Sequence, residues 1–265
     1  GMKVGAGLQL VAVQKTATGF GDSDGGDQAA SGSELNAMWG SISGGTLNLS
    51  ISGNIEANFN KMWIFIDGVA GGEQTLAGDN VDGGFGEINN LGYTFDAGFE
   101  PDHGMRVEVG GGFFGIRAFD LIDNTGGDVW TGGGPGDLPL AGAAGGFGVT
   151  TGWDNSNGAG VTGADASGAL TATMGWEFSI DLLTFLGEVP SSVKVMAIVT
   201  SGDGGFASNQ VLPGVGGLGN LGGDAAFANK DFNAIAGDQF AMIVPAPASA
   251  ALLGLGGLAA ARRRR

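Results

Sequence analysis

The chain contains no cysteine in its 265 residues, and His103 is its only histidine. The lack of cysteine excludes disulfide bonds, thiolate metal sites and cysteine nucleophiles, and it leaves the redox compartment undetermined. A hydrolase with a histidine base would depend on His103. That residue lies in an acidic segment, so a hydrolase of this type is not expected.

Basic residues are also few. Eleven lysines and arginines stand against 27 acidic residues, which gives a net charge of −16, and four of the eleven form the final run at residues 262–265. A field of this sign repels DNA, RNA and anionic lipid. Nucleic-acid binding is therefore not expected.

Glycine, in contrast, is abundant, with 56 residues in the chain. The glycines follow no three-residue period, which excludes a collagen helix and assigns them to turns and loops. Hydrophobic residues make up 43% of the chain and include 16 Phe and 5 Trp. This much apolar surface can offset the entropy cost of ordering the chain, so a folded body with generous loops is expected.

Alternating and continuous apolar patterns predict β-strands. Residues 46–52 alternate and place Leu47, Leu49 and Ile51 on one face. Residues 62–66 are continuously apolar, as in a central strand buried on both faces. Further strands are predicted at residues 8–14, 91–95, 105–109, 113–119, 170–174, 177–180, 193–200 and 239–244. The pattern predicts an all-β fold, a jelly-roll-like two-sheet antiparallel β-sandwich with long glycine-rich loops.

Little of the body is predicted to be helical. Asp181 can cap a turn over residues 182–186 that ends at Gly187, and residues 34–39 are a second candidate. Residues 121–167 and 201–229 are rich in glycine and aspartate and poor in periodicity. These two stretches are predicted to be surface loops.

The C-terminal residues differ from the body. Val244, Pro245, Ala246 and Pro247 are followed by an apolar stretch at residues 248–261 and then by Arg262, Arg263, Arg264 and Arg265. The prolines end any preceding strand, the apolar run can start a short helix, and the arginines would stay on the cytoplasmic side of a membrane. Because a stable span needs about 20 apolar residues, this shorter run suits a processed sorting signal. We expect a body over residues 1–243 and a sorting tail over residues 244–265.

This order of prolines, apolar run and arginines resembles the PEP-CTERM sorting tail of exported bacterial proteins. The resemblance implies processing by an exosortase-type enzyme, transient contact of the tail with the inner membrane, and delivery to the cell envelope or the extracellular matrix. Ala246 stands where the family usually has glutamate. The N-terminus lacks the pattern of a signal peptide and Gly1 precedes Met2, so we expect that a natural signal peptide was removed.

Two segments of the body carry a further likeness. Phe65-Ile66-Asp67 ends an early strand, and Trp176-Glu177-Phe178-Ser179-Ile180 leads into a leucine and glycine turn. These segments resemble the DOMON-like and family-nine-like carbohydrate-binding β-sandwiches of secreted proteins. Residues 54–60, 93–102 and 208–239 are also similar to segments of PEP-CTERM proteins with this body. The resemblance implies a secreted β-sandwich and leaves its ligand open.

Three aspartates form a candidate calcium site. Asp22, Asp24 and Asp27 are spaced as the oxygen ligands of calcium loops are, but Ser33 stands at the twelfth position, where such loops have glutamate. A solvated acidic turn is the alternative. The same alternative applies to two further acidic groups, Asp79, Asn80 and Asp82, and Asp96, Glu100, Asp102 and His103. No cofactor is expected, with calcium as the one alternative.

Two short glycine motifs match functional signatures in sequence but lack the structural context that those signatures require. Residues 21–25 read G-x-S-x-G, but an acidic loop surrounds Ser23 where a nucleophile elbow needs a strand and a helix. Residues 110–115 read G-x-G-x-x-G, but residues 116–119 continue as a strand rather than as a phosphate-facing helix. We expect these later glycines to form a hairpin turn or a bulge between Val109 and Phe113.

Two tryptophans are candidates for carbohydrate binding. Trp130 and Trp153 fall in a predicted loop with Asp154 nearby, and exposed aromatic faces beside carboxylates could bind a sugar. Packing beneath the loops is the alternative, because large aromatic side chains usually bury most of their area. Trp63 and Trp176 lie inside strand patterns and are predicted to be core residues.

Three functions remain open. The preferred one is a non-enzymatic exported protein whose β-sandwich is a binding or adhesion module at the cell surface. The second is carbohydrate binding through loop aromatics, with extracellular polysaccharide as the partner. The third is a glycan-active hydrolase with paired carboxylates, although no pair is singled out by its spacing. No catalytic residue is assigned.

Overall fold

The computed structural model describes residues 5, 7–21, 32–83, 86–133, 143–144 and 146–245. These residues form one short α-helix and thirteen strands, in the chain order β1 (Gln9–Val13), β2 (Glu34–Ser43), β3 (Thr46–Asn54), β4 (Asn58–Asp67), β5 (His103–Gly110), β6 (Phe113–Asp120), β7 (Thr125–Gly133), β8 (Ala143–Ala144), β9 (Val149–Trp153), β10 (Gly175–Asp181), α1 (Leu182–Leu186), β11 (Val193–Thr200), β12 (Ala207–Leu212) and β13 (Ala241–Ile243).

The strands pair in two antiparallel sheets. The first sheet has the order β1-β2-β3-β10-β9-β8, and the second has the order β12-β11-β4-β5-β6-β7, with β13 also paired to β11. The two sheets pack together, so the predicted all-β sandwich is confirmed. The predicted α1 is confirmed as well, because the Asp181 side chain accepts a hydrogen bond from the Thr184 N–H and Gly187 adopts φ 78° at its end.

The main core lies between the sheets. Leu47, Leu49 and Ile51 of β3 share one buried cluster with the inward side chains of β4, as the alternation in the sequence predicts. Trp176 of β10 is fully buried in the same cluster. The predicted hairpin between β5 and β6 is also present, with Gly111 and Gly112 at its turn.

A second core covers the other face of the second sheet. Trp63 and Phe65 of β4 pack there against aromatic side chains of residues 68–102 and 201–240, including Tyr93, Phe95 and Phe232. The rings of Phe65 and Phe95 are 4.8 Å apart, and those of Tyr93 and Phe232 are 5.2 Å apart. The middle of β4 is therefore buried on both faces, as predicted, and the long connections form a third layer.

The predictions for three individual helices or strands are wrong. Residues 34–39 begin β2 instead of a helix, because pairing with β1 and β3 overrides the helix propensity of Leu, Ala and Met. In residues 91–95 only Thr94 makes isolated bridges, since Tyr93 and Phe95 serve the second core rather than a sheet. The predicted strand at residues 170–174 overlaps a 3₁₀ turn at Ala169–Thr171.

The two predicted long loops contain strands. Residues 121–167 include β7, β8 and β9, and residues 201–229 include β12. β7 is rich in glycine and β12 in polar residues, so neither shows the hydrophobic alternation by which strands are recognised. Pairing with β6 and β11 provides the stability that the local sequence lacks.

The described chain ends at the predicted tail. Val244 is exposed, and Pro245 makes an isolated bridge with Ile42 of β2. Ala246, Pro247 and the apolar and arginine runs, including the predicted short C-terminal helix, lie outside the described residues. Within the described part of the chain, no helix is long and apolar enough to cross a membrane.

Candidate functional site

The predicted calcium ligands Asp22, Asp24 and Asp27 lie outside the described residues. Among the residues that the structure does describe, no group of three or more His, Asp or Glu side chains could hold a metal ion. Several members of the acidic groups noted in the sequence instead make hydrogen bonds within the protein, among them Asp82, Asp96 and Asp102. Asp82, for example, accepts a hydrogen bond from the Arg106 guanidinium at 3.1 Å.

The two candidate sugar-binding tryptophans lie in strands, so their placement in loops is wrong. Trp130 is in β7 and Trp153 is in β9. Trp153 is fully buried, with its ring stacked 4.2 Å from that of Phe114 and 4.5 Å from that of Trp130. Packing in the core accounts for Trp153, and Asp154 beside it accepts hydrogen bonds from Ser156.

His103 lies between two carboxylates. Its Nδ1 is 3.0 Å from Asp102 Oδ1, and its Nε2 is 3.5 Å from Asp120 Oδ2. The other oxygen of Asp102 accepts hydrogen bonds at 2.6 Å from the N–H groups of Gly68 and Val69. This buried group fixes the turn after β4 to β5 and β6, which is a structural role.

A cavity on the outer face of the second sheet brings together charged and aromatic side chains that the sequence did not single out. Its volume is about 400 Å³, and it is open to solvent. We call it the Phe59 cavity; it is lined by Phe59, Lys61, Glu87, Glu108, Phe113, Arg117 and Gly202. The volume falls within the range of about 300–1,000 Å³ that is typical of small-molecule sites.

Cross-strand pairs of charged residues form the floor of the Phe59 cavity and continue beside it to Arg106, which is buried outside the lining. Lys61 of β4 lies directly opposite Glu108 of β5, and Arg106 lies opposite Arg117 of β6. Two arginines directly opposite each other would repel, so the register requires acidic neighbours. Outside the terminal arginine run the chain has seven basic residues. Three of them, Lys61, Arg106 and Arg117, lie close together here.

Glu108 supplies the central negative charge. Its carboxylate lies 3.3 Å from Lys61 Nζ, 3.4 Å from an Arg106 guanidinium nitrogen and 3.7 Å from Arg117 Nε. Glu87, in the 3₁₀ turn Glu87–Asn90, contacts Lys61 at 3.6 Å and also binds Arg106. The two carboxylates and the cations between them therefore hold one another in fixed positions.

Asp82 secures the network to the loop above the sheet. Its carboxylate accepts hydrogen bonds from the N–H groups of Gly86 and Ile88, as well as from Arg106. Arg117 donates to the Gly83 carbonyl, and Lys61 donates to the Gly202 carbonyl. The loop, the sheet and the turn at residues 201–206 are thus joined by buried charges.

Two phenylalanines form the walls of the cavity. Phe59 is 45% exposed and has φ 69°, a left-handed conformation that is unfavourable for a bulky residue. It lies in a β-bulge, where two residues of β4 stand opposite one residue of β5, and the bulge turns its ring outward. Strain of this kind persists only where the surrounding structure enforces it, and it concentrates at functional sites.

Glycines make room for both rings. A Cβ atom on Gly110 would lie 2.6 Å from the ring of Phe59, and a Cβ on Gly115 would lie 2.7 Å from the ring of Phe113. Real Cβ atoms essentially never approach so closely. The glycine-rich hairpin between β5 and β6 is therefore what allows the two aromatic walls to lie against the sheet.

Comparisons of the chain with protein-family models, with curated proteins and with solved structures find no match. The chemistry of the cavity therefore carries the functional inference.

The Phe59 cavity combines two apolar faces with a floor of balanced, buried charges. Such a site favours a ligand with a flat apolar face and several hydroxyl or similar polar groups, since each polar group finds a charged partner already in position. One signal in the sequence points to the site. Arg106 and Glu108 alternate with the apolar residues Met105, Val107 and Val109. This alternation places two charges on one face of a strand beside β4, whose continuous apolar pattern predicts burial on both faces.

Proposed function

We propose that the protein is an exported bacterial binding module of the cell surface or extracellular matrix, without catalytic activity, and that its ligand occupies the Phe59 cavity. The observation that carries the proposal is Phe59 itself. A bulky aromatic residue is held exposed, in a strained conformation, beside a buried network of charges. Without a ligand, nothing would favour an exposed and strained aromatic side chain beside a buried charge network.

Export and delivery rest on the sequence. The prolines, apolar run and four arginines at residues 244–265 resemble a PEP-CTERM tail, and processing by an exosortase-type enzyme would release the body outside the inner membrane. The net charge of −16 favours solubility in that environment.

A carbohydrate is the ligand class that the cavity favours. Sugar rings offer apolar C–H faces to Phe59 and Phe113 and hydroxyl groups to Lys61, Glu108 and Arg117. The candidate platform of Trp130 and Trp153 is thereby replaced, since Trp153 is fully buried. We propose extracellular polysaccharide as the natural source of this ligand.

The test is binding of the full chain to a glycan array, in the presence and absence of calcium, followed by calorimetry with the glycans that bind. Phe59→Ala should weaken binding about tenfold, which corresponds to about 1.4 kcal/mol for a lost aromatic contact. Leu183→Ala is the matched control, because Leu183 is an exposed apolar side chain on α1 outside the cavity.

Each outcome decides between the alternatives. Glycan binding that Phe59→Ala weakens and Leu183→Ala leaves unchanged supports the proposal. Binding that is unaffected by Phe59→Ala would place the site elsewhere, and an array without any bound glycan would overturn the carbohydrate ligand. Release of reducing sugar ends from a bound glycan would instead support the hydrolase, with Glu87 and Glu108 as the carboxylates to test.

A further inference from the structure

The charged side chains around the Phe59 cavity differ in exposure according to their sign. Those of Lys61 and Arg117 are enclosed, with exposed fractions of 3% and 13%. Glu87 is more open at 21%, and Asp128, whose carboxylate lies 3.5 Å from Arg117 Nε, is 55% exposed. Carboxylates therefore make up more of the exposed charged surface here than cations do.

The hydrogen-bonding capacity of the lining shows the same imbalance. The three N–H donors of the Lys61 ammonium group are surrounded by three acceptors of the protein, since it donates to the Gly202 carbonyl and contacts the carboxylates of Glu108 and Glu87 at 3.3 and 3.6 Å. Glu87 has two partners among the described residues, Lys61 and Arg106. A carboxylate has about four lone-pair sites, so Glu87 can accept further hydrogen bonds from a ligand.

The turn beside the cavity adds another negative charge. Asp203 directly follows Gly202 of the lining and is exposed. The hydrogen bond from the Ser201 hydroxyl makes the largest contribution to lowering the pKa of Asp203, and the charge of Lys61 also contributes. The Asp203 carboxylate is therefore ionised at neutral pH and lies within electrostatic reach of the cavity.

Taken over the described residues, the cavity and its surroundings carry an excess of negative charge. Five carboxylates accompany three basic side chains, namely Asp82, Glu87, Glu108, Asp128 and Asp203 with Lys61, Arg106 and Arg117. The chain as a whole has the same sign, with a net charge of −16. A field of this sign attracts cationic ligands and repels anionic ones.

The aromatic walls of the cavity favour a cation as well. The face of an aromatic ring is electrostatically negative, and a cation within about 6 Å of the ring centre is attracted to it. The side chain of Phe59 is 45% exposed, so a ligand can lie against it, and Phe113 provides a second ring in the lining. Aromatic faces are the groups by which proteins commonly recognise ammonium ligands.

We propose that the Phe59 cavity recognises a positively charged amine, so that the carbohydrate proposed for it is an amino sugar with a free ammonium group. This inference rests on the function proposed above and adds the charge of the ligand. The ammonium group lies against the ring of Phe59 and donates a hydrogen bond to the carboxylate of Glu87. A uronic acid is disfavoured, because its carboxylate meets a negative field and the donors of Lys61 already have acceptors.

The charge of the ligand is tested by calorimetry of the full chain with four methyl glycosides at low salt. Those of glucosamine, glucose and glucuronic acid present a positive, a neutral and a negative ligand, and that of N-acetylglucosamine carries a blocked amine. The glucosamine glycoside should bind about tenfold more tightly than the glucose and N-acetylglucosamine glycosides, and the glucuronic acid glycoside most weakly. Tetramethylammonium, titrated separately, distinguishes a free cation from one carried on a sugar.

Two variants test the cause of this preference. Phe59→Leu keeps an apolar wall but removes the negative ring face, so the preference for glucosamine over glucose should largely disappear. The double variant Asp128→Asn with Asp203→Asn neutralises two exposed carboxylates and should reduce the preference about threefold at low salt. Leu183→Ala, outside the cavity, should leave the preference unchanged.

The outcomes separate this inference from the function on which it rests. Glucose and glucosamine glycosides that bind equally, with both weakened by Phe59→Ala, would overturn the amine and retain the carbohydrate. Tighter binding of the glucuronic acid glycoside, or a preference for glucosamine that Phe59→Leu leaves intact, would also overturn the amine. Binding of tetramethylammonium alone, lost in Phe59→Leu, would support the cation and overturn the carbohydrate, whereas a lack of binding by every ligand would overturn both.

Discussion

Lys61 and Glu108 face each other across β4 and β5, with the ammonium nitrogen 3.3 Å from the carboxylate and both side chains almost completely buried. A buried ion pair gains little over an apolar pair, because both charges lose their hydration. Removing one partner is different, since the other is left as an uncompensated buried charge. The pair therefore fixes the shape of the cavity floor more than it raises the stability of the fold.

This relationship predicts strong non-additivity between the two residues. Lys61→Met and Glu108→Gln should each lower the free energy of unfolding by about 3–5 kcal/mol. The double variant should lose clearly less than the sum of the two, because neither charge remains. Urea unfolding of the four proteins measures the coupling.

Lys194→Met provides the control for that experiment. Lys194 is paired with Asp67 at 2.8 Å, but both side chains are partly exposed. Its loss should cost about 1 kcal/mol or less. Equal losses for Lys61→Met and Lys194→Met would contradict the view that burial makes the cavity network sensitive.

The conformation of Phe59 predicts that two substitutions at this position differ in stability. Phe59→Gly relieves a left-handed conformation that costs a side-chain-bearing residue about 1–2 kcal/mol, whereas Phe59→Ala retains that strain. The glycine variant should therefore be the more stable of the two by about 1 kcal/mol. Both lose the aromatic wall, so both should bind glycan weakly. If the alanine variant were the more stable, the strain at residue 59 would be refuted.

The turn at residues 201–206 should contribute less to the stability of the fold in acid. The hydrogen bond from Ser201 Oγ, at 2.6 Å, and the one from the Gly205 N–H hold the pKa of Asp203 below its ordinary value of 3.8. A carboxyl group whose pKa is lowered by folding stabilises the protein above its unfolded pKa, and this contribution is lost as the pH falls through the folded value.

Asp203→Asn should therefore be less stable than the wild type at pH 7, and the difference should shrink below about pH 3.8. Ser201→Ala removes the main donor and should reduce the pH dependence in the same direction. Urea midpoints measured from pH 7 to pH 3 check both expectations. A wild-type advantage that stays constant over this range would argue against the assigned role of Asp203.

The tail can be tested separately from the body. Replacing Arg262, Arg263, Arg264 and Arg265 by serine removes the positive end of the apolar run, which should change processing or localisation in the native host. Cell fractionation and the mass of the mature protein provide the measurement. Unchanged export and maturation would count against the sorting function, and Pro247→Ala tests the other end of the same signal.

The sequence correctly predicts the strands that show a clear hydrophobic pattern within their own residues. β3 alternates and β4 is continuously apolar, and both lie as expected in the middle of the sandwich. β7 and β12 were missed because glycine and polar residues hide the alternation, and their positions are set by neighbouring strands. Local patterns cannot reveal a strand that is stabilised mainly by its partners.

The Phe59 cavity was missed for a related reason. Lys61, Glu108 and Arg117 are distant in the chain and meet only through the register of β4, β5 and β6. The sequence pattern favours Trp130 and Trp153 as a binding site instead, although Trp153 belongs to the core. Charges at alternate positions of an apolar strand were the available signal, because a polar residue on a buried face needs a partner.

The two glycines beneath the rings of Phe59 and Phe113 determine the shape of the Phe59 cavity. A single methyl group on Gly110 or Gly115 would lie 2.6 or 2.7 Å from the ring of Phe59 or Phe113, so it would push that ring away from the sheet and reshape the opening of the Phe59 cavity. The selectivity of the proposed binding site would therefore depend in part on two glycines beneath its aromatic walls. Alanine at these positions would change the shape of the Phe59 cavity without replacing any side chain that lines it.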